Sequence, residues 1–182
     1  MGRSLKPYGP GTAKFSSCKT WRYTLSRDLT ALPSELFTRR GILLAIGLNP
    51  STATGEDDDP TIHKESKWAI DWGFREYWKA NAYAFRATEP DDMFAARDRG
   101  IDIVGPANDI AIRTLVDRVR REGGRVLAGW GTHIDSERQR RLASLLKGVE
   151  VVCCAVNRDG SPRHPLYTSP NNIKPWSCPV HV

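Results

Sequence analysis

The chain is expected to fold as an α/β protein, a three-layer sandwich in which a central, mainly parallel four-stranded sheet is flanked by helices. Three observations lead there. Residues 41–47 (GILLAIG) form an unbroken apolar run bounded by glycines, the pattern of a strand buried on both faces. From that run to residue 156, strand-like and helix-like stretches alternate, which is the signature of parallel strands joined by crossover helices. The composition, 40% hydrophobic and 26% charged in 182 residues, suits one globular domain and excludes disorder, collagen-like repeats and coiled coils.

Taken in order, residues 1–16 read as a loose basic arm, because Pro7, Gly9, Pro10 and Gly11 break any regular pattern. Residues 20–25 carry enough aromatic and Thr character for a short edge strand. After the buried run, residues 61–72 contain many helix formers with apolar Ile62, Ala69 and Ile70, capped by Thr61 or Asp59. Residues 77–85 alternate as a second strand. Asn108 opens the best helix: Ile112, Leu115, Val116 and Val119 follow the i, i+3, i+4, i+7 rule, and Gly123-Gly124 ends it. Residues 125–130 are a third strand. Residues 136–147 are an amphipathic helix with Leu142, Leu145 and Leu146 inward and Arg138, Arg140 and Arg141 outward. Residues 149–156 make the fourth strand. Residues 157–182 hold five prolines and no periodicity, so an irregular loop or tail completes the single domain of residues 1–182.

The 27 basic residues exceed the 21 acidic ones by a formal +6, which suits a polyanionic partner without requiring one. No apolar run approaches the ~18 residues of a membrane span, and no secretory signal opens the chain. Four cysteines without zinc spacing read as reduced thiols, with Cys153 and Cys154 inside a buried strand and Cys18 and Cys178 near opposite ends. These features give an expected cytoplasmic monomer with no membrane partner, no metal and no cofactor.

Ligands of parallel sheets gather beyond the carboxyl ends of the strands. The chemistry-bearing residues of this chain follow its expected strands in that sense. They are Leu48-Asn49-Pro50-Ser51 and Asp57-Asp58-Asp59-Pro60-Thr61 after the first, Asn81 in the second, Trp130-Gly131 after the third, and Arg163-His164-Pro165-Leu166-Tyr167 after the fourth. Each has a plain structural alternative. A Gly-Leu-Asn-Pro turn is a common way to leave a strand, and aspartates before a helix serve as caps. The joint order is what points to a site.

That joint pattern resembles the uracil-DNA glycosylase superfamily, whose members carry a Gly-x-Asn/Asp-Pro motif after the first strand, an Asn closing the second, a Trp-Gly after the third and a His-Pro motif after the last. It also resembles an uncharacterised bacterial and phage domain family with LNPSTA, DDPT, WG and RHPLY hallmarks, over roughly residues 22–167. The resemblance implies a uracil-DNA-glycosylase-like sandwich and a monofunctional, metal-independent DNA glycosylase acting on a flipped-out base. Asn49 would position the water, with Asp58 or Asp59 as the general base that an amide cannot be. His164 would donate to the pyrimidine O2 as it becomes anionic, and Asn81 would read the base edge. Leu48 would offer its backbone to the base. Phe85, Tyr83 or Tyr167 could stack on it, or simply pack.

Two departures shape the expected substrate. Ser51 stands where the strictest uracil enzymes have a bulky Tyr, which leaves room beside C5 for thymine or a larger modified pyrimidine, glucosylated hydroxymethylcytosine of phage DNA among them. Leu166 replaces a Ser after His-Pro, which removes a phosphate ligand and supplies an apolar wedge for the gap left by a flipped base. Arg86, Arg158 and Arg163, with Pro50 and Pro165 of the two loop motifs, form the expected DNA-facing set. The rivals are a module that binds a modified base without cleaving it, and a metal-dependent nucleotide hydrolase or nuclease built on Asp57, Asp58 and Asp59 with His63.

Overall fold

β3 (Ile42–Gly47) is the strand around which the other elements are arranged, and every one of its residues is buried. Its side chains alternate between two hydrophobic clusters, Ile42, Leu44 and Ile46 facing one and Leu43 and Ala45 the other. An apolar residue at every position is what a strand covered on both faces requires. The computed structural model describes residues 5–38, 41–51 and 53–178.

The remaining elements are β1 (Gly11–Phe15), β2 (Arg22–Asp28), α1 (Pro60–Asp71), β4 (Glu76–Asn81), α2 (Pro90–Asp98), α3 (Asn108–Glu122), β5 (Arg125–Ala128), α4 (Ser136–Leu145), β6 (Val151–Cys153) and β7 (Lys174–Pro175). The sheet order is β1-β2-β4-β3-β5-β6-β7. β4, β3, β5 and β6 run parallel to one another, whereas β1–β2, β2–β4 and β6–β7 pair antiparallel. The α/β class is as expected, but the sheet is a mixed one of seven strands. It is not the four-stranded, mainly parallel sheet that the alternation suggested.

The difference comes from both ends of the chain. The arm expected over residues 1–16 is ordered where it pairs: β1 forms a hairpin with β2, and β2 occupies the edge of β4. The strand expected over residues 20–25 is β2, which runs Arg22–Asp28 and is covered by β1 instead of lying at the edge; its later half was not foreseen because the buried Arg27 reads as solvated. In the expected tail, β7 covers the edge of β6, and Trp176 packs edge-to-face on Trp130 with ring centroids 4.9 Å apart. Residues 1–4 of the arm and 179–182 of the tail lie outside the described residues. α2 was not foreseen; its nine residues bury only Met93 and Ala96 and show little periodicity.

The expected helix ends hold to within a few residues. Asp59, not Thr61, caps α1, accepting the Ile62 N–H at 2.9 Å. Gly123 ends α3 in the left-handed conformation, φ 73°, where a side chain would be strained. Asn108 starts α3 without capping it. Its amide instead donates to the carbonyls of Asn81 and Ala82 at 3.0 and 3.2 Å, binding the end of β4 to the helix. Arg138 was expected to face outward but is buried, donating to the Ala82 carbonyl at 2.6 Å and to Asp109 at 2.6 Å.

α1 packs on one face of the sheet, while α3 and α4 cover the other. The chain leaves β3 for β4 on one side and returns across β3 to β5 on the other. This reversal opens a crevice at the carboxyl end of β3.

Candidate functional site

The crevice is a cavity of about 540 Å³. Leu48, Asn49 and Ser51 line it from the β3 loop, Asn81 and Lys79 from β4, Trp130 from the β5 loop, and His164, Leu166 and Tyr167 from the last motif. The four sequence motifs therefore meet in one place.

Each residue arrives with its chemistry partly committed. The Asn49 amide donates to the Ala87 carbonyl at 2.7 Å and, weakly, to that of Pro50 at 3.4 Å. With its N–H groups spent on backbone, Asn49 offers any ligand its carbonyl oxygen, an acceptor suited to orienting a water. His164 accepts the Leu166 N–H on Nδ1 at 3.3 Å, so the neutral ring carries its proton on Nε2 and presents a donor. Burial, and then the positive charge of Lys79, holds the imidazole below its ordinary value, which keeps it neutral at pH 7.

The loop bearing His164 is fixed from two sides. Lys64 of α1 donates to the carbonyls of Leu166 and Thr168 at 3.0 and 2.9 Å. Pro165 lies against Gly129, where a β-carbon would stand 2.6 Å from the proline Cδ, so the residue before Trp130 must be glycine. Trp130 is held by a bond from its indole N–H to Gln139 at 3.2 Å. Leu166 and Tyr167 project from the rim, Tyr167 with three-quarters of its surface exposed.

The two candidate bases separate. Asp59 lines the cavity, using Oδ1 to cap α1 and leaving Oδ2 without a hydrogen-bond partner among the described residues. Asp58 does not reach the site. It is buried under Arg27, which donates from Nη2 and Nε to Asp58 Oδ1 at 2.6 and 2.9 Å. The same guanidinium bonds the carbonyls of Ser26, Thr54, Gly55 and Asp57, shaping the loop that carries both aspartates. Asp58 is thus a structural ion pair rather than a general base. The three-aspartate metal reading loses its central ligand for the same reason, and among the described residues no three His, Cys, Asp or Glu side chains are placed to hold a metal ion.

The DNA-facing set divides as well. Arg163 is exposed on the cavity wall. Phe85 and Arg86 sit instead in a neighbouring hollow of about 470 Å³, which shares Ser51, Ala87 and Thr88 with the cavity. Arg86 stacks over Phe15 at 4.9 Å and donates to the Lys19 carbonyl at 3.1 Å. Pro50 and Pro165 are buried turn residues, and Arg158 is exposed away from the cavity lining. Tyr83, offered as a stacking residue, is buried and bonds Asp135 at the start of α4, so it is core. All four cysteines are free thiols.

Sequence reasoning missed the floor of the site. Lys79 is buried, its Nζ bonded to both carboxylate oxygens of Glu65 at 2.8 and 2.9 Å, and Glu65 also accepts the Tyr77 hydroxyl. Arg22, almost fully buried, lines the cavity and donates to the Ala53 carbonyl at 2.7 Å. Desolvation lowers its pKa to about 10, still cationic at neutral pH. The available signal was a Tyr77-x-Lys79-x-Asn81 spacing, which puts a charge on the buried face of a strand.

Fold and cavity together define an α/β protein with a cavity lined by polar side chains at the carboxyl end of its parallel strands. The chain belongs to the family described as a protein of unknown function, DUF1643, which it matches over residues 22–166. No curated protein and no solved structure matches it. Among the described residues no helix is long and apolar enough to cross a membrane.

Proposed function

We propose that the protein is a DNA glycosylase of the uracil-DNA glycosylase type, which hydrolyses the N-glycosidic bond of a flipped-out, C5-modified pyrimidine and leaves an abasic site. One observation carries this reading. Asn49, presenting an acceptor, and neutral His164, presenting an Nε2–H donor, share a cavity with Asn81, whose buried side-chain oxygen has no hydrogen-bond partner among the described residues. A water under C1′, a donor at the departing base and a reader of its edge are the three things the reaction needs.

In the step, Asn49 Oδ1 holds the water, whose oxygen bonds to C1′ as the C1′–N1 bond breaks. The bond's electron pair leaves with the base, where the His164 N–H stabilises the charge developing on O2. The water's proton passes to the free Oδ2 of Asp59. Ser51 leaves space beside C5, opening towards the second hollow. Arg163 contacts phosphate, and Leu166 fills the gap in the stack.

Duplexes carrying uracil, mismatched thymine, and hydroxymethylated or glucosylated pyrimidines test the assignment by formation of alkali-labile sites. Product is expected from at least one of them. Asn49→Ala and His164→Ala should each slow it by roughly two orders of magnitude or more. Folded protein giving no product on any duplex overturns the reading. Saturable binding without product would move the assignment to a module that recognises the modified base.

A further inference from the structure

The second hollow has no occupant in the reaction above, yet it is joined to the cavity through the segment that follows β4. Ala87 is tied to the loop carrying Asn49: its carbonyl accepts the Asn49 amide at 2.7 Å, and its N–H donates to the Pro50 carbonyl at 3.0 Å. Arg86, one residue earlier, is tied to the β1–β2 turn. Its N–H donates to the Thr20 carbonyl at 3.0 Å and its guanidinium to the Lys19 carbonyl at 3.1 Å. The guanidinium also lies over the Phe15 ring, so it is held in place before any ligand arrives.

The hollow, about 470 Å³, is close in size to the 540 Å³ cavity, and the two share Ser51, Ala87 and Thr88. Among the described residues its lining carries two charges, Lys19 and Arg86, and no acidic side chain. Arg86 Nε is buried without a hydrogen-bond partner among the described residues, and so is Nε of Arg22 on the cavity side. The Arg22 and Arg86 charges repel each other, while Asp59 attracts that of Arg22. Cations gathered where no carboxylate faces them favour an anionic ligand. Phe85 and the exposed Ile101 add an apolar wall beside them.

We propose that the hollow is a subsite for the nucleotide adjoining the flipped one, with Arg86 and Lys19 on the phosphodiester that links the two and Phe85 and Ile101 against the neighbouring base. Cations set beside an aromatic wall suit a single strand, whose phosphates and base faces are both within reach. This rests on the reading of the cavity as a nucleotide pocket and specifies the substrate further. Two successive nucleotides must leave the stack, which costs more in a duplex than in a single strand, so the preferred substrate is single-stranded. A neutral C5 substituent is a poorer occupant, because it leaves both cations uncompensated.

The test is calorimetric titration with 5-hydroxymethyl-2′-deoxyuridine and with the two dinucleotides that join it to thymidine through a 5′ or a 3′ phosphodiester. One dinucleotide should bind about tenfold or more tightly than the nucleoside, and removing the neighbour's base should forfeit part of that gain. Arg86→Met and Lys19→Gly should each cut the gain to within about threefold. Lys19 has φ 57°, where glycine is at ease, so the second variant keeps the fold if the first does not. Each should also lower the salt dependence of single-strand binding, by about 0.7 in log–log slope for a lost phosphate contact. A merely structural Arg86 would change stability and leave the gain and the slope alone.

Equal binding of the nucleoside and both dinucleotides overturns the proposal, as does a gain that survives both substitutions, a preference for duplex over the same single strand, or no binding of any probe. A glucosyl group on the C5 hydroxymethyl that abolishes the dinucleotide's advantage also overturns it, by giving the hollow to the C5 substituent. Neighbour-dependent binding without cleavage of any strand upholds the subsite and sinks the glycosylase reading. Cleavage indifferent to the neighbour does the reverse.

Discussion

Replacing Asp58 and Asp59 one at a time should separate two adjacent aspartates that sequence alone could not tell apart. In Asp58→Ala, Arg27 keeps its backbone carbonyls but loses its only counter-charge among the described residues, and both side chains of the pair are wholly inaccessible. Breaking a buried pair by removing one partner costs about 3–5 kcal/mol, a large share of the ~5–15 kcal/mol that holds a domain together. For a chain of this size that corresponds to a melting temperature lower by roughly 6–20 °C. Asp59→Ala removes a helix cap worth about 1 kcal/mol, or some 2–4 °C, since one oxygen bonds the Ile62 N–H. Its main effect should fall on the rate of base release. Thermal melts of the two variants, with urea titrations to check that unfolding is two-state, supply the comparison. An Asp58→Ala melting temperature no lower than that of Asp59→Ala would refute the argument that Arg27 and Asp58 are the clamp of this loop.

Two further outcomes follow from the same geometry. Gly47→Ala should weaken ligand binding by tenfold or more and also lower stability, because the ammonium its methyl would push against is held by both oxygens of Glu65. Its methyl fills the space shared by Lys79 Nζ and Asn81 Oδ1, and Gly47 has no left-handed backbone to strain; equilibrium binding of the substrate duplex to the variant measures the loss. The rate should hold as pH falls through 6.5, the ordinary histidine value, and drop only below it, because His164 is protonated less readily in the fold than in the open chain. Stability carries the same sign. The open chain binds this proton first, so whatever the neutral ring contributes is lost as the medium turns acidic. Rate–pH profiles of the wild type and of His164→Asn locate the limb, and a wild-type limb centred at or above 6.5 counts against the neutral donor.

How much of this was legible beforehand differs from residue to residue. Asn49, Ser51, Asn81 and His164 were found because each follows a strand whose apolar pattern is visible, and because such ends converge in any parallel sheet. Asp59 was found together with its neighbour Asp58, since residues adjacent in a loop have no fixed periodicity to say which one turns inward. Lys79, Glu65 and Arg22 were missed altogether. A single charge in a strand or helix reads as solvated until its partner is known, and the partners of Lys79 and Arg22 come from α1 and from the loop after β3.

The sequence by itself determined the class of fold, the central strand, the principal helices and the motif residues of the pocket, because these depend on local periodicity and on where turns can fall. Only the tertiary structure decided the antiparallel margins of the sheet and the buried ion pairs. Arg27 with Asp58, and Lys79 with Glu65, lie 31 and 14 residues apart, and the sense in which β1, β2 and β7 dock is likewise a long-range choice. Burying a charge is favourable only once its counter-charge is placed beside it, and that placement exists only in the folded chain.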